Sequence, residues 1–171
     1  MNLKKLTLSS LEHNLWVNQK YVEWLNTKSE ILLHTEVKSS YSSILKTVHH
    51  ICCSQEYWRS IVGQQFALDI EHLPDMPGRL ELFEELIVSS QKLVDLVSES
   101  DESLLSEKIA VDSAWFSCNL SRYEYIQQIV LHAAYHRGQI VTMGRHLGME
   151  DAPMTDYNFW NIYKDRFRHV G

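Results

Sequence analysis

Apolar residues return every three to four positions along most of this chain, the period of an α-helix with one buried face, and this limits the fold more than any other feature. Only six glycines and three prolines punctuate 171 residues, so the stripes run long and the connections between them are short. A first helix is expected from about Ser9 to Lys28, carrying Leu11, Leu15, Trp16, Tyr21, Val22 and Leu25 on one side. Its start, Ser9-Ser10-Leu11-Glu12, offers an N-cap with a carboxylate on the third residue.

A second helix is expected from about Ser40 to Val62, with Tyr41, Ile44, Leu45, Val48, Ile51, Cys52, Trp58 and Val62 in one broad stripe that ends near Gly63. After a linker holding Pro74 and Pro77, a third runs from Arg79 to Ser98 with Leu82, Leu86, Leu93, Leu96 and Val97 on one face. A fourth opens at Ser121, where Glu124 completes an S-x-x-E capping box, and continues to Leu147 before Gly148. Glu107 to Cys118 loses the helical period and reads as extended. Beyond Pro153, Thr155 to Phe167 reads as a short terminal helix with Tyr157, Trp160 and Tyr163.

Each of the four long stripes must be buried against another element. The expected fold is therefore all-α, a four-helix bundle with a short additional C-terminal helix, in one domain spanning residues 1–171. A hydrophobic content of 44% is enough for such a core.

The formal charge of −6 comes from acidic residues scattered along the chain, without a Lys/Arg block to track phosphates, which argues against a nucleic-acid partner. Every apolar run is broken well short of the roughly 18 residues a membrane span needs. The start, Met1-Asn2-Leu3-Lys4-Lys5-Leu6-Thr7, has lysines but no apolar segment behind them, so a cytoplasmic location is expected. The cysteines are odd in number (Cys52, Cys53, Cys118), and the adjacent pair is poorly placed to bridge to itself; reduced thiols are expected, with Cys52 packed on an apolar face.

Candidate chemistry centres on histidine. His132 and His136 are four apart on the fourth helix, hence on one face and about one turn from each other, a spacing that lets two imidazoles reach one ion. Helical projection puts both at the edge of the apolar stripe. A third ligand must come from a facing element, and the second helix offers His49 and His50, which project to opposite edges of its stripe. Periodicity does not choose between them. His132-Ala133-Ala134-Tyr135-His136 lacks the glutamate that follows the first histidine of a zincin, and no E-x-x-H of the di-iron carboxylate bundles occurs in the chain.

Arg137 projects into the middle of the same stripe, where a guanidinium needs a partner: an acidic residue on a neighbouring helix, or an anionic ligand. Gly138 lowers helix propensity, and close backbone packing is the expected reason. Tryptophans 16, 24, 58, 115 and 160 read as core anchors rather than as a ligand cage.

Four segments carry a resemblance: His13-Asn14-Leu15-Trp16-Val17-Asn18, His50-Ile51 with Trp58 downstream, His132-x-x-x-His136-Arg137-Gly138-Gln139-Ile140, and Pro153-Met154-Thr155-Asp156-Tyr157. Over nearly the whole chain these resemble the DinB family of bacterial proteins, also described as DinB/YfiT-like metalloenzymes. The H-x-x-x-H-R-G-Q segment is the most specific. The resemblance implies an up-down-down-up bundle, frequently a homodimer, with Zn or Ni held by one histidine of the second helix and two of the fourth. It selects His50, followed by an aliphatic residue and a downstream tryptophan, so the implied metal ligands are His50, His132 and His136. Fe and Mn also suit three imidazoles. His13 departs from the pattern, which often has tyrosine there.

Three protein nitrogens leave coordination positions for water or substrate, as in a catalytic site. Characterised relatives in the resembled family include S-transferases that use bacillithiol or mycothiol and an isomerase that uses mycothiol. The expectation is accordingly a metal-dependent thiol S-transferase or hydrolase acting on a small-molecule substrate, with a low-molecular-weight thiol as co-substrate and Arg137 as a candidate anion contact. The alternative is a non-enzymatic, stress-related dimer that binds a metal or ligand. No aspartate or glutamate is placed by motif as a general base.

Overall fold

A computed structural model of the protein describes residues 2–64, 74–113 and 116–167, with side chains as far as 164. The four expected long helices are present. They are α1 (Leu3–Asn26), α3 (Ile44–Val62), α4 (Arg79–Glu99) and α5 (Arg122–His146), joined by a short α2 (Glu30–His34) and a terminal α6 (Tyr157–Phe167). A 3₁₀ turn (Glu102–Ser106) leads from α4 into β1 (Lys108–Asp112) and β2 (Ser117–Ser121).

Helix ends follow from local chemistry. α5 begins where expected: the Ser121 side chain accepts from the Glu124 backbone N–H, and Glu124 accepts from the Ser121 N–H at 2.7 Å. It ends before Gly148, whose φ of 80° suits a residue without Cβ. α1 departs from expectation, starting at Leu3 because Asn2 Oδ1 accepts from Lys5 N–H at 2.9 Å. Ser9 and Ser10 are therefore interior, and Ser10 Oγ donates back to Leu6 O. α3 starts at Ile44 rather than near Ser40, since Ser43 caps it by accepting from Lys46 N–H. Ser40 and Tyr41 thereby lie in the linker ahead of the helix.

The two strands make the chain mostly helical rather than all-α. They pair antiparallel, from Lys108 opposite Ser121 to Asp112 opposite Ser117. Ile109 and Val111 are β-branched, alternate with the exposed Lys108, Ala110 and Asp112, and turn toward the core, which explains an extended conformation where the helical period fails. The Tyr125 hydroxyl donates to Ile109 O at 2.8 Å and fastens the hairpin to α5.

α1 and α3 each pack against both α4 and α5. Two apolar clusters fill the space between them. One holds Val17, Tyr21, Trp24, Val48, Ile51, Leu86, Ala133 and Ile140, and the other holds Leu11, Trp58, Leu93, Val97, Tyr125, Ile126 and Ile129. Buried polar side chains fall between the clusters on three helices: Asn14 lies between Leu11 and Val17, Gln55 between Cys52 and Trp58, and Ser90 between Leu86 and Leu93. These are joined to one another. Asn14 Nδ2 donates to Gln55 Oε1 at 3.4 Å, Gln55 Nε2 to Ser90 Oγ at 3.1 Å, and Asn18 Nδ2 to Ser90 Oγ at 2.9 Å.

Arg137 on α5 completes this layer. It is 6% exposed, and its Nη1 donates at 2.8 Å to both Asn14 Oδ1 and Asn18 Oδ1. Burial pulls its pKa down to about 10, which still leaves the group charged at neutral pH. The partners found are amide oxygens of α1, where a neighbouring carboxylate or an anionic ligand was expected. Paired asparagines meet the same need, since a buried guanidinium requires acceptors, not specifically a counter-charge.

Glycine placement corrects another expectation. A Cβ at Gly138 would meet nothing within 4 Å, so close packing does not account for it. The close approach is at Gly144, where a Cβ would lie 3.2 Å from the Trp24 ring. Trp24, Trp58 and Trp160 are buried as expected of core anchors, Trp16 is half-buried, and Trp115 lies outside the described residues. Cys52 and Cys53 are buried, Cys118 is half-buried, and all three are free thiols. Among the described residues, no helix is long and apolar enough to cross a membrane.

Candidate metal centre

α3 and α5 bring His50, His132 and His136 together, with one ring nitrogen of each lying within 4.8 Å of the others. His132 is central. Its Nε2 is 3.0 Å from Nε2 of His50 and 3.2 Å from Nε2 of His136. The rings meet edge to face, with centroids 4.5–4.9 Å apart. Zinc–imidazole bonds of about 2.0–2.1 Å in a tetrahedron place ligand nitrogens roughly 3.3 Å from each other, so the nitrogens stand at a separation suited to one shared cation.

The electrostatics suit a cation as well. His50 and His132 have pKa values lowered to about 4, first by burial and then by like charge on neighbouring histidines. Both are therefore neutral at pH 7, the protonation state a metal needs. His136 is buried, while His50 and His132 are half-buried.

Two further side chains hold the rings, and sequence reasoning gave neither a role. Tyr41, in the linker before α3, shares a 2.6 Å hydrogen bond with His50 Nδ1 and stacks on the ring at 4.2 Å between centroids. Gln139 Oε1 lies 2.8 Å from His136 Nδ1. An amide oxygen only accepts, so Nδ1 carries the proton and Nε2 presents its lone pair to the cluster. Gln139 Nε2 in turn donates to Ser40 Oγ at 2.9 Å. Metal-binding histidines characteristically use their second nitrogen in this way. Gln139 stands inside the H-x-x-x-H-R-G-Q segment, three residues past His136 on the same helical face, and that spacing was the available signal.

His49 goes elsewhere. Its Nε2 is 3.3 Å from Cys53 Sγ, and both border a cavity of about 500 Å³ between α3 and α4 that also meets Glu56, Glu81 and Glu85. Burial and the nearby Glu85 push the Cys53 thiol pKa up, and burial takes Cys52 to about 12. Arg137, adjacent to His136, faces α1 through Asn14 and Asn18. His13 also stands apart: its Nε2 is 3.0 Å from Thr155 O, and its ring packs on Tyr157 and Trp160, so it tethers the C-terminal segment to α1.

The chain is similar to Protein DinB of Bacillus subtilis (strain 168), with 24% identity over 155 residues covering 87% of this chain and 90% of the relative. The three-histidine group is compatible with binding a metal ion. The sequence profile of the DinB family matches residues 1–166, and the chain therefore belongs to the DinB family.

Proposed function

We propose that this protein binds one divalent cation through Nε2 of His50, His132 and His136, and that it acts as a metal-dependent thiol S-transferase or hydrolase on small molecules. The observation that carries the reading is the convergence of three imidazole nitrogens from two helices, with Nδ1 of two rings engaged by Tyr41 and Gln139. The long helices form an up-down-down-up four-helix bundle in this reading, and the polar layer around Arg137 fixes α5 against α1. A bound divalent cation supplies Lewis acidity and lowers the pKa of a coordinated water or thiol toward neutrality. Zn or Ni fits three imidazoles best, with Fe or Mn next. A cytoplasmic homodimer using a low-molecular-weight thiol completes the proposal, on the strength of the family resemblance.

The chain's own residues do three things here. Tyr41 and Gln139 orient the His50 and His136 rings, burial keeps His50 and His132 neutral, and the half-buried positions of His50 and His132 leave one side of the cluster open to a small molecule. The test begins with metal analysis of protein purified without supplementation. About one equivalent of Zn or Ni is expected, with loss of that metal in His136→Ala. A panel of electrophiles with bacillithiol-type and other small thiols then assays conjugation. Metal-free wild type that also fails to take up added Zn²⁺ or Ni²⁺ rejects the metal reading. A metal-loaded protein inert toward the whole panel leaves the alternative, a non-enzymatic metal-binding protein.

A further inference from the structure

The seam between α3 and α5 does not end at the histidines. Further along it the Trp58 ring stacks on Tyr125, with centroids 5.3 Å apart and planes within 19°, while its partner on the hairpin, Phe116, lies 5.6 Å away at 17°. Beside this three-ring stack is a groove of about 430 Å³, lined by Trp58, Phe116, Cys118, Leu120, Gln128 and Leu131 among others. A volume of that order falls in the usual range for small-molecule sites, about 300–1,000 Å³.

Its position links it to the candidate metal centre. On α5, Gln128 precedes His132 by four residues and Leu131 is the neighbour of His132. At about 1.5 Å of rise per residue, the near wall of the groove is roughly 6 Å along the helix from a ligand ring. On α3, Ser54 sits midway between His50 and Trp58, so the same two helices form both the groove wall and the histidine cluster.

The lining also limits what the groove accepts. Leu131 is 64% exposed, and Leu120 and Phe116 are 37% and 36% exposed, which leaves apolar surface facing water beside the site. The charged lining residue is Glu124, and its carboxylate is engaged by Ser121 in the capping box of α5. Among the described residues, no cationic side chain lines the groove to attract a carboxylate or phosphate.

We propose that this groove holds the uncharged, apolar portion of the small-molecule substrate, an aryl or alkyl group whose polar reacting end lies at the three-histidine cluster. The inference rests on the reading given under Proposed function and adds a substrate class to it. Trp58 and Phe116 wall the apolar group, Leu131 covers it, and Gln128 marks the passage toward His132.

The test uses the full chain and an uncharged fluorescent probe, N-phenyl-1-naphthylamine. Metal-free protein is expected to bind it saturably. Leu131→Glu, a change at an exposed position, is expected to weaken binding roughly tenfold or more without altering the thermal midpoint. With Co²⁺ loaded, the proton signals of the bound probe should broaden, because the ion and the groove are neighbours. Probe binding that is indifferent to Leu131→Glu overturns the proposal, as does a probe whose signals stay sharp beside bound Co²⁺. A fall in sedimentation mass of probe-free Leu131→Glu overturns it too, since the face would then be an interface between copies. Failure to take up Co²⁺ at all rejects the metal reading itself, and the metal-free titration separates that outcome from failure of the groove.

Discussion

The Tyr41 hydroxyl stands 2.6 Å from Nδ1 of His50, the ring nitrogen opposite the Nε2 that meets His132. Gln139 holds His136 in the same manner at 2.8 Å. Removing such partners typically costs 10–100-fold in metal affinity. Tyr41→Phe and Gln139→Ala are each expected to weaken Zn²⁺ binding by roughly that factor, measured by competition with a chromophoric chelator. Affinity within error of wild type in both variants would remove Tyr41 and Gln139 from the site.

Acid should destabilise the metal-free protein through these histidines. His50 and His132 titrate near 4 in the folded protein, against about 6.5 for an unperturbed imidazole. Between those values the unfolded chain binds protons that the folded one refuses, so stability falls as pH drops through the window and is fully present above it. Thermal midpoints recorded in chelator from pH 7 to pH 4.5 should therefore decline less steeply in a His50→Gln/His132→Gln double variant than in wild type. Parallel curves would show that the two imidazoles are not held neutral by the fold.

Arg137 is expected to matter for stability rather than for ligand contact. Arg137→Met leaves the Asn14 and Asn18 oxygens without the donor they share, a loss of about 2–5 kcal/mol for two buried acceptors. Urea unfolding measures it. A wild-type midpoint combined with lost binding of an anionic ligand would return Arg137 to the role of anion contact.

The two glycines of α5 should respond differently to alanine. Gly138→Ala meets no atom within 4 Å and should stabilise the helix by up to about 1 kcal/mol. Gly144→Ala meets the Trp24 ring at 3.2 Å, so its gain should be smaller or reversed. Calorimetry of both variants checks the order, and Gly138→Ala should leave metal affinity unchanged although it lies close to His136.

Much of this was legible in the sequence because the stripes are long. The bounds of α4 and the capped start of α5 follow from periodicity and from Ser121 and Glu124. α2 is too short to show a period, and the start of α1 was obscured because Asn2 and Ser9 are equally good caps by residue type. Two members of the histidine cluster were readable from i,i+4 spacing, whereas the choice of His50 over His49 needed the family pattern, since both flank one stripe. Tyr41 looked like one more apolar residue of a helix, and only the fold places it outside α3 and against His50. The partners of Arg137 were hidden for a related reason: Asn14 and Asn18 share a face of α1, but nothing local says that the face meets α5.

The layer of Asn14, Asn18, Gln55, Ser90 and Arg137 gives the four long helices a common reference level. Apolar stripes tolerate sliding, because one leucine fits beside another nearly as well after a shift of a turn. Polar groups matched one to one do not, since a slipped α5 would carry its guanidinium about 5.4 Å along the axis into hydrocarbon. Such a layer works like a key in a shaft: it adds little grip, yet it admits a single alignment, and that alignment sets His132 and His136 level with His50.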